Sequence, residues 1–497
     1  MLYLKHDFAK DATLRASLSS LPNLNLKAIA DELLSSQGYF VYDAIARAHA
    51  LLYLKKSGAL DEFGKSEKDV KIKALYDEAD NILLEAVKTL EGLIYHDGRF
   101  SLSDLDGSYD LYSLLCLDYL TDARDLGFNV NSKLLNISYN YVKDNYNNFD
   151  LCAQALAFSV LSKYDRVNVG SMRYIFDETK CNDLLYYVYM ARSFLNTADI
   201  KRAREACERA LILYPEYLSI YDRLCTQSLS LQELSSLHSL LQSYAPSPIA
   251  TPYYIGYELL SLATVLDDNE AVNTITEHLS AISSDTAFLS FSDNKAIVHA
   301  ATDGSKMSFY KDVEFKGHNP YSIVNDSSYD LFATMSAYGL TQSIPKAYEH
   351  KLGLKKYYYD KNFKALDKTD LKNLKPSDKI YVVLRAKLMA LSFGHMVIED
   401  MLPAGFEFEA VDYSQEQIQT LLPDSFKGYF ASVQMQRSDD RIRLKSNMSS
   451  DNDVLYIYAL RAVMPGSYAA GSATAFMHNA PFIRAFVPCD QKLVIKH

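Results

Sequence analysis

From Lys201 to Pro215 the chain reads KRAREACERALILYP, and that stretch sets the character of roughly its first three hundred residues. Ala203, Cys207, Ala210, Leu211 and Tyr214 recur at i, i+4, i+7, i+8 and i+11, one face of a helix, while Arg202, Glu205 and Arg209 take the other. Pro215 has no N–H for the helical ladder and is expected to end the helix. Similar apolar stripes cover Ala44 to Leu54, Ile72 to Leu93, Leu111 to Leu126, Leu151 to Leu161, Leu184 to Leu195, Tyr217 to Leu229, Tyr254 to Leu266 and Ala271 to Ile282. Their connections are short, among them Gly127-Phe128-Asn129 and Pro246-Ser247-Pro248. About a dozen helices joined this way form antiparallel pairs, either stacked in a solenoid or closed in a ring.

Beyond about Ser305 the texture changes. Val382, Leu384, Ala386 and Leu388 alternate with residues such as Arg385 and Lys387, the pattern of a half-buried strand. Val454 to Leu460 is apolar throughout, as a strand covered on both faces would be. Lys375-Pro376-Ser377-Asp378, Pro403-Ala404-Gly405 and Pro465-Gly466 punctuate these runs as turns. An antiparallel β-sandwich is expected at the C-terminal end, preceded by a small β element. The predicted fold class is therefore α then β.

Composition bounds the function. The chain has 497 residues, a net charge of -11 and a pI near 5.5, which argues against a nucleic-acid partner. It has no tryptophan but 38 tyrosines, so much of its aromatic packing must accommodate a hydroxyl. Cys116, Cys152, Cys181, Cys207, Cys225 and Cys489 include no CxxC pair, and the first five lie in helical patterns, as small buried residues would. Met1 to Arg15 shows no apolar core of a secretion signal, and the longest apolar run, Leu184 to Ala191, is too short to span a bilayer.

Chemical motifs are scarce. The chain lacks GxxxxGK[ST], GxGxxG after a strand, GxSxG and HExxH, so neither cofactor nor metal is expected. Asp118 and Asp122, four apart on one predicted helix, share a face as paired carboxylates for acid–base or metal work must, but a solvated helix face is the reading the sequence favours. Asp439-Asp440 beside Arg441 reads as a charged turn. Lys355-Lys356-Tyr357-Tyr358-Tyr359 interleaves bases and aromatics as single-strand nucleic-acid surfaces do, yet fits a strand on an acidic chain better.

Three C-terminal segments together resemble the last domain of bacterial alpha-2-macroglobulins. Val397-Ile398-Glu399-Asp400-Met401-Leu402-Pro403-Ala404-Gly405-Phe406-Glu407 is similar to that family's v-D-x-L-P-A-G-L-E. Gln436-Arg437-Ser438-Asp439-Asp440-Arg441 is similar to its R-D-D-R. Tyr458-Ala459-Leu460-Arg461-Ala462-Val463-Met464-Pro465-Gly466-Ser467-Tyr468, with Met477-His478 beyond, resembles its Y-x-x-R-A-v-T-P-G-x-F … M-y. Leu14 to Leu26, Asp97-Gly98-Arg99-Phe100, Tyr109 to Val130 and Leu289 to Ala296 resemble segments of the helical toroid that precedes this domain in the family. The resemblance implies a β segment at 1–20, an α/α toroid at 21–305, a small β element at 306–352 and a macroglobulin-like sandwich at 353–497.

Family members that capture proteases covalently carry Gly-Cys-x-Glu-Gln early in the toroid, where the cysteine thiol and the glutamine side chain form a thioester. That chemistry needs a thiol to make the acyl bond and a side-chain amide to become the acyl group. The matching residues are Gly38, Tyr39, Phe40, Val41 and Tyr42, so two phenols stand at the cysteine and glutamine positions. No cysteine occurs between Met1 and Leu115. The resemblance implies a non-enzymatic, thioester-lacking protease trap in the periplasm or envelope, working through a longer intact protein by caging a protease after bait cleavage. A scaffold holding an envelope protein on the toroid surface is the alternative. An enzyme built on Asp118 and Asp122 would require both to face a shared pocket.

Overall fold

A helix that is apolar on every side can be buried only by surrounding it with other helices, and several helices of this chain have that character. The computed structural model describes residues 2–4, 13–35, 41–101, 109–164, 166–227, 229–247, 249–283, 290–302, 310–316, 321–323, 331–338, 346–389, 393–422, 429–430, 434–449, 454–478, 480–488 and 491–496. Its helices run α1 (Leu26–Ser35), α2 (Val41–Lys56), α3 (Ala59–Ser66), α4 (Val70–Asp77), α5 (Ala79–Gly92), α6 (Tyr109–Asp125), α7 (Ser132–Asn145) and α8 (Leu151–Ser162). They continue with α9 (Val169–Glu178), α10 (Leu184–Asn196), α11 (Ile200–Thr226), α12 (Leu231–Tyr244), α13 (Pro252–Val265), α14 (Asn269–Ser283) and α15 (Phe291–Thr302).

Every residue of α8 after Leu151 is buried, and α10 and α13 are buried nearly throughout. These helices belong to a closed ring. In order, α2, α6, α8, α10, α13 and α15 each pack on the next, and α15 packs back on α2. The more amphipathic helices lie outside: α5 buries Ala79, Leu83, Val87 and Leu90, one stripe, against α2 and α6. Asp150, Asp183 and Thr251 cap α8, α10 and α13 by accepting from backbone N–H groups in their first turns, which aligns three ring helices at their starts.

Three sequence expectations need correction. Pro215 does not end its helix, because α11 runs through it to Thr226. Tyr214 and Tyr217 flank the proline, are buried, and donate their hydroxyls to the carbonyls of Pro252 (2.8 Å) and Ala250 (2.6 Å). That anchoring on both sides outweighs the one helical hydrogen bond a proline forfeits. The stripe Ile72 to Leu93 is two helices, α4 and α5, which meet at Glu78. Cys181 lies in the segment between α9 and α10 and not in a helix.

Strands β1 (Leu2–Leu4), β2 (Thr13–Ser19), β3 (Tyr310–Lys316), β4 (Tyr321–Ile323) and β5 (Phe332–Tyr338) flank the helices in sequence. β2 lies between β3 and β5, antiparallel to both, with Ala16 opposite Val313 and Met335, and β1 pairs with β4. The N-terminal β segment and the strands after α15 are thus one structure, not the two separate elements expected.

The remaining elements are β6 (Tyr348–His350), β7 (Leu352–Asp360), β8 (Lys379–Leu388), β9 (Phe393–Met401), β10 (Phe406–Glu409), α16 (Gln415–Leu421), β11 (Tyr429–Phe430), β12 (Gln434–Arg437), β13 (Arg441–Ser449), β14 (Val454–Ala462), β15 (Gly466–Ala469), β16 (Ala473–Met477), β17 (Ala480–Val487) and β18 (Lys492–Ile495). One sheet runs β10-β14-β8-β7 with β11 beside β14, and the other runs β12-β13-β9-β16-β17-β6. On one face of the first sheet Tyr359, Tyr381, Val383, Leu455 and Ala459 pack with Ile418 and Leu422, at and just beyond α16. The other face turns to the second sheet, where Lys356 donates to Asp400 Oδ1 (2.6 Å) and Tyr458 to Asp400 Oδ2 (2.6 Å), with Asp400 fully buried. Covered on both faces, β14 reads as the continuous apolar run seen in the sequence. The chain divides into two compact units, Met1–Asp222 with Leu240–Leu340, and Arg223–Ser239 with Thr341–His497.

Gly405 sits at φ +81° in the β9–β10 turn, and a side chain there would meet the Tyr468 ring. Gly127, at φ +96°, faces open space. Gly405→Ala should cost about 2–4 kcal/mol, combining left-handed strain with overpacking, against about 1–2 kcal/mol for Gly127→Ala. Urea unfolding of each variant measures both, and equal losses would refute the role assigned to Tyr468.

Candidate functional site

The inner helices carry polar residues at i, i+3 and i+4 spacing, and ring closure turns those stripes toward one another. Leu52, Tyr53 and Lys56 come from α2, Asp118 and Asp122 from α6, Ser159 from α8, Arg192 and Asn196 from α10, Glu258 from α13, and Lys295 and His299 from α15. Together with Lys163, just past α8, they line a cavity of about 340 Å³. Asp118 and Asp122 therefore face a shared cavity, and the solvated-face reading of the pair is corrected.

The geometry shows what the pair can do. Lys163 Nζ lies 2.6 Å from Asp118 Oδ1 and 2.9 Å from Asp122 Oδ1. His49 Nε2 is 2.8 Å from Asp122 Oδ2. Burial alone would raise the Asp122 pKa, but the Lys163 charge and the His49 hydrogen bond hold it well below the usual carboxylate range. Burial likewise opposes the Lys163 charge, and the two aspartates outweigh it, lifting the ammonium well above its ordinary value. Burial pushes His49 down, so its ring is neutral and donates through Nε2. Its Nδ1 has no hydrogen-bond partner among the described residues. Tyr53 stacks between His49 (4.8 Å) and His299 (4.6 Å).

A general acid needs a carboxyl whose pKa is raised toward neutrality, and Asp122 is shifted the opposite way. His49, Asp118 and Asp122 offer ligand atoms within 4.8 Å of one another, the spacing of a metal site, but the Lys163 ammonium already fills the cation's place between the carboxylates. Across the cavity the Arg192 guanidinium grips Glu258 Oε2 (3.1 and 2.5 Å), and despite burial Glu258 is held well below its ordinary pKa, by Arg192 first and His299 next.

Of the residues matched to the thioester motif, Gly38, Tyr39 and Phe40 lie outside the described residues. Val41 and Tyr42 open α2, and Tyr42 is buried, stacked on Tyr112 of α6 with ring centroids 5.0 Å apart. Asp440 pairs with Arg441 at 2.7 Å in the β12–β13 turn, and Arg441 also reaches Glu399 at 3.2 Å, so that charged run is a braced hairpin. Lys355 to Tyr359 lies in β7, where Lys356 and Tyr358 turn inward, Tyr358 donating to the Ala470 carbonyl (3.3 Å).

Residues 352–481 match the family model described as the bacterial alpha-2-macroglobulin MG10 domain. A crystal structure of native Escherichia coli alpha-2-macroglobulin spanning domain MG7 to the C-terminus is similar over 99% of this chain and 78% of that one, at 18% identity and TM-score 0.68. Residues 352–481 thus share that domain's family model, and the chain as a whole shares the fold of the C-terminal region of bacterial alpha-2-macroglobulins. A cryo-EM reconstruction of the native E. coli protein (TM-score 0.71, 18% identity) is covered over 31% of its length, and a point mutant of Salmonella alpha-2-macroglobulin (TM-score 0.73, 18% identity) over 32%, each with 99% of this chain. This chain thus spans about a third of those macroglobulin chains. No curated protein matches it. In the MG10 match, Asp400, Gly405, Gly466 and Tyr468 are the residues whose roles are visible: an inter-sheet anchor, two turns and the ring packed on both.

The Asp122 carboxyl titrates below its unfolded value of about 3.9. The stability it contributes is therefore complete above that pH and is lost as pH falls toward the folded value. Asp122→Asn should cost about 1–3 kcal/mol at pH 7, by leaving Lys163 half-compensated, and the penalty should shrink steadily below about pH 4. Urea unfolding at stepped pH reads this, and a penalty independent of pH would refute the pairing.

Proposed function

We propose that this chain is the C-terminal part of a larger bacterial alpha-2-macroglobulin-like protein that traps proteases without a thioester. Bait cleavage in the missing upstream part would rearrange the molecule around the protease, caging it with no covalent bond. The observation that carries this reading is the pair of tyrosines, Tyr39 and Tyr42, at the positions matched to the thioester motif, in a chain with the fold of the macroglobulin C-terminal region. Tyr42, the residue matched to the glutamine, is packed on Tyr112 of α6, and a phenol supplies no acyl group, which supports the reading. A periplasmic or envelope location and protease partners follow from the same resemblance and belong to the same proposal. Among the described residues no helix is long and apolar enough to cross a membrane.

Two measurements test it. Treated with methylamine, a small nucleophile that opens thioesters, the 497-residue chain should keep its mass, and a methylamine adduct would overturn the thioester-free reading. The intact native protein, detected with an antibody to this chain, should be several times larger than 56.2 kDa. After protease treatment it should carry the protease on a native gel and release all of it in SDS. Covalent retention would overturn caging without capture. An intact protein that binds one envelope partner and no protease would overturn trapping altogether and leave the scaffold reading.

A further inference from the structure

The cavity inside the helical ring holds an ammonium with no carboxylate partner among the described residues and a carboxylate with only one of its two oxygens engaged. Lys295, in the second turn of α15, is 7% exposed and lines the cavity. Among the described residues no carboxylate lies within ion-pairing distance of its ammonium. The ammonium lies over the Tyr254 ring, 5.8 Å from the centroid. Asp118, 8% exposed, gives Oδ1 to Lys163, while its Oδ2 has no partner among the described residues. The other buried charges of the cavity are matched: Lys163 with Asp118 and Asp122, and Arg192 with Glu258.

An ammonium has three N–H groups to donate, and at Lys295 no protein acceptor among the described residues takes them, so they are available to a molecule in the cavity. Burial works against the Lys295 charge, yet Tyr254, Glu258 and Asp118 hold its pKa above the ordinary value, so the group stays charged. Removing its proton is therefore not how the site balances. A simple anion would satisfy Lys295 but would face Asp118 and Glu258. A simple cation would satisfy Asp118 but face Lys295 and Arg192. A molecule with one charge of each sign meets both demands, and a volume of about 340 Å³ admits a small one. Lys56 and Asp125, exposed and at the cavity's edge, leave a way in.

We propose that this cavity is a binding site for a small zwitterion such as a free amino acid, its carboxylate accepting from Lys295 and its ammonium donating to Asp118 Oδ2. No bond is made or broken.

Isothermal titration calorimetry on the 497-residue chain tests this with glycine and γ-aminobutyrate as zwitterions of two lengths, and with acetate and ethylammonium as their halves. At least one zwitterion should bind saturably, and at least tenfold more tightly than either half. Lys295→Met and Asp118→Asn should each weaken it at least tenfold. The proposal fails if neither zwitterion binds, if acetate or ethylammonium binds as well, or if both folded variants bind like the wild type. Should a variant not fold, wild-type crystals soaked in the bound zwitterion decide: density bridging Lys295 Nζ and Asp118 supports the site, and density elsewhere or none overturns it. None of these outcomes depends on protease trapping, so the two proposals stand or fall separately.

Discussion

Closing six largely buried helices into a ring is the constraint on which the helical unit depends. Helices such as α8 and α13 have no side that tolerates water, so each must be walled by neighbours, and a ring supplies two neighbours to every member. An outer set of amphipathic helices then needs only one buried stripe each. The ring also creates an interior that apolar side chains cannot fill completely. There the polar stripes meet, and the structure resolves them into ion pairs: Lys163 with two aspartates, and Arg192 with Glu258.

Much of this was legible beforehand. Periodicity located most helices, the run Val454 to Leu460 announced a strand covered twice, and the turn residues around Gly405 and Gly466 marked the sandwich edges. The charged interior was not legible, for a physical reason. Asp118 and Asp122 at i, i+4 look like a wet helix face, and on a solitary helix they would be one. In a ring the polar side of an inner helix points at the cavity, so the same spacing describes acids that line an enclosed space. Only knowing which helices are inner separates the two cases, and that depends on contacts between residues far apart in sequence. Pro215 failed as a stop signal similarly, since the tyrosines beside it are held by carbonyls some 33 to 38 residues away.

The C-terminal unit shows another limit. In the sequence Asp400 stands only as one letter of a family motif, with no role of its own. Its position is central instead: fully buried, it takes one hydrogen bond from Lys356 and one from Tyr458, joining the two sheets. Burial raises its pKa, against the lowering by Lys356 and then Tyr458. Buried polar groups of this kind specify which sheet faces which, where apolar packing alone would accept several registers.

The small sheet formed by β2, β3 and β5 has a mechanical meaning. β2 precedes α1 and β3 follows α15, so the whole ring is a loop strung between two paired strands. Thr13 lies opposite both Lys316 and Tyr338, which places the incoming and outgoing chain at the same end of the ladder. Tension applied along the chain would load that end alone, opening the hydrogen bonds one after another like a zip and not shearing them together. The clasp would yield first at low force, and the ring would bear load only after it had parted.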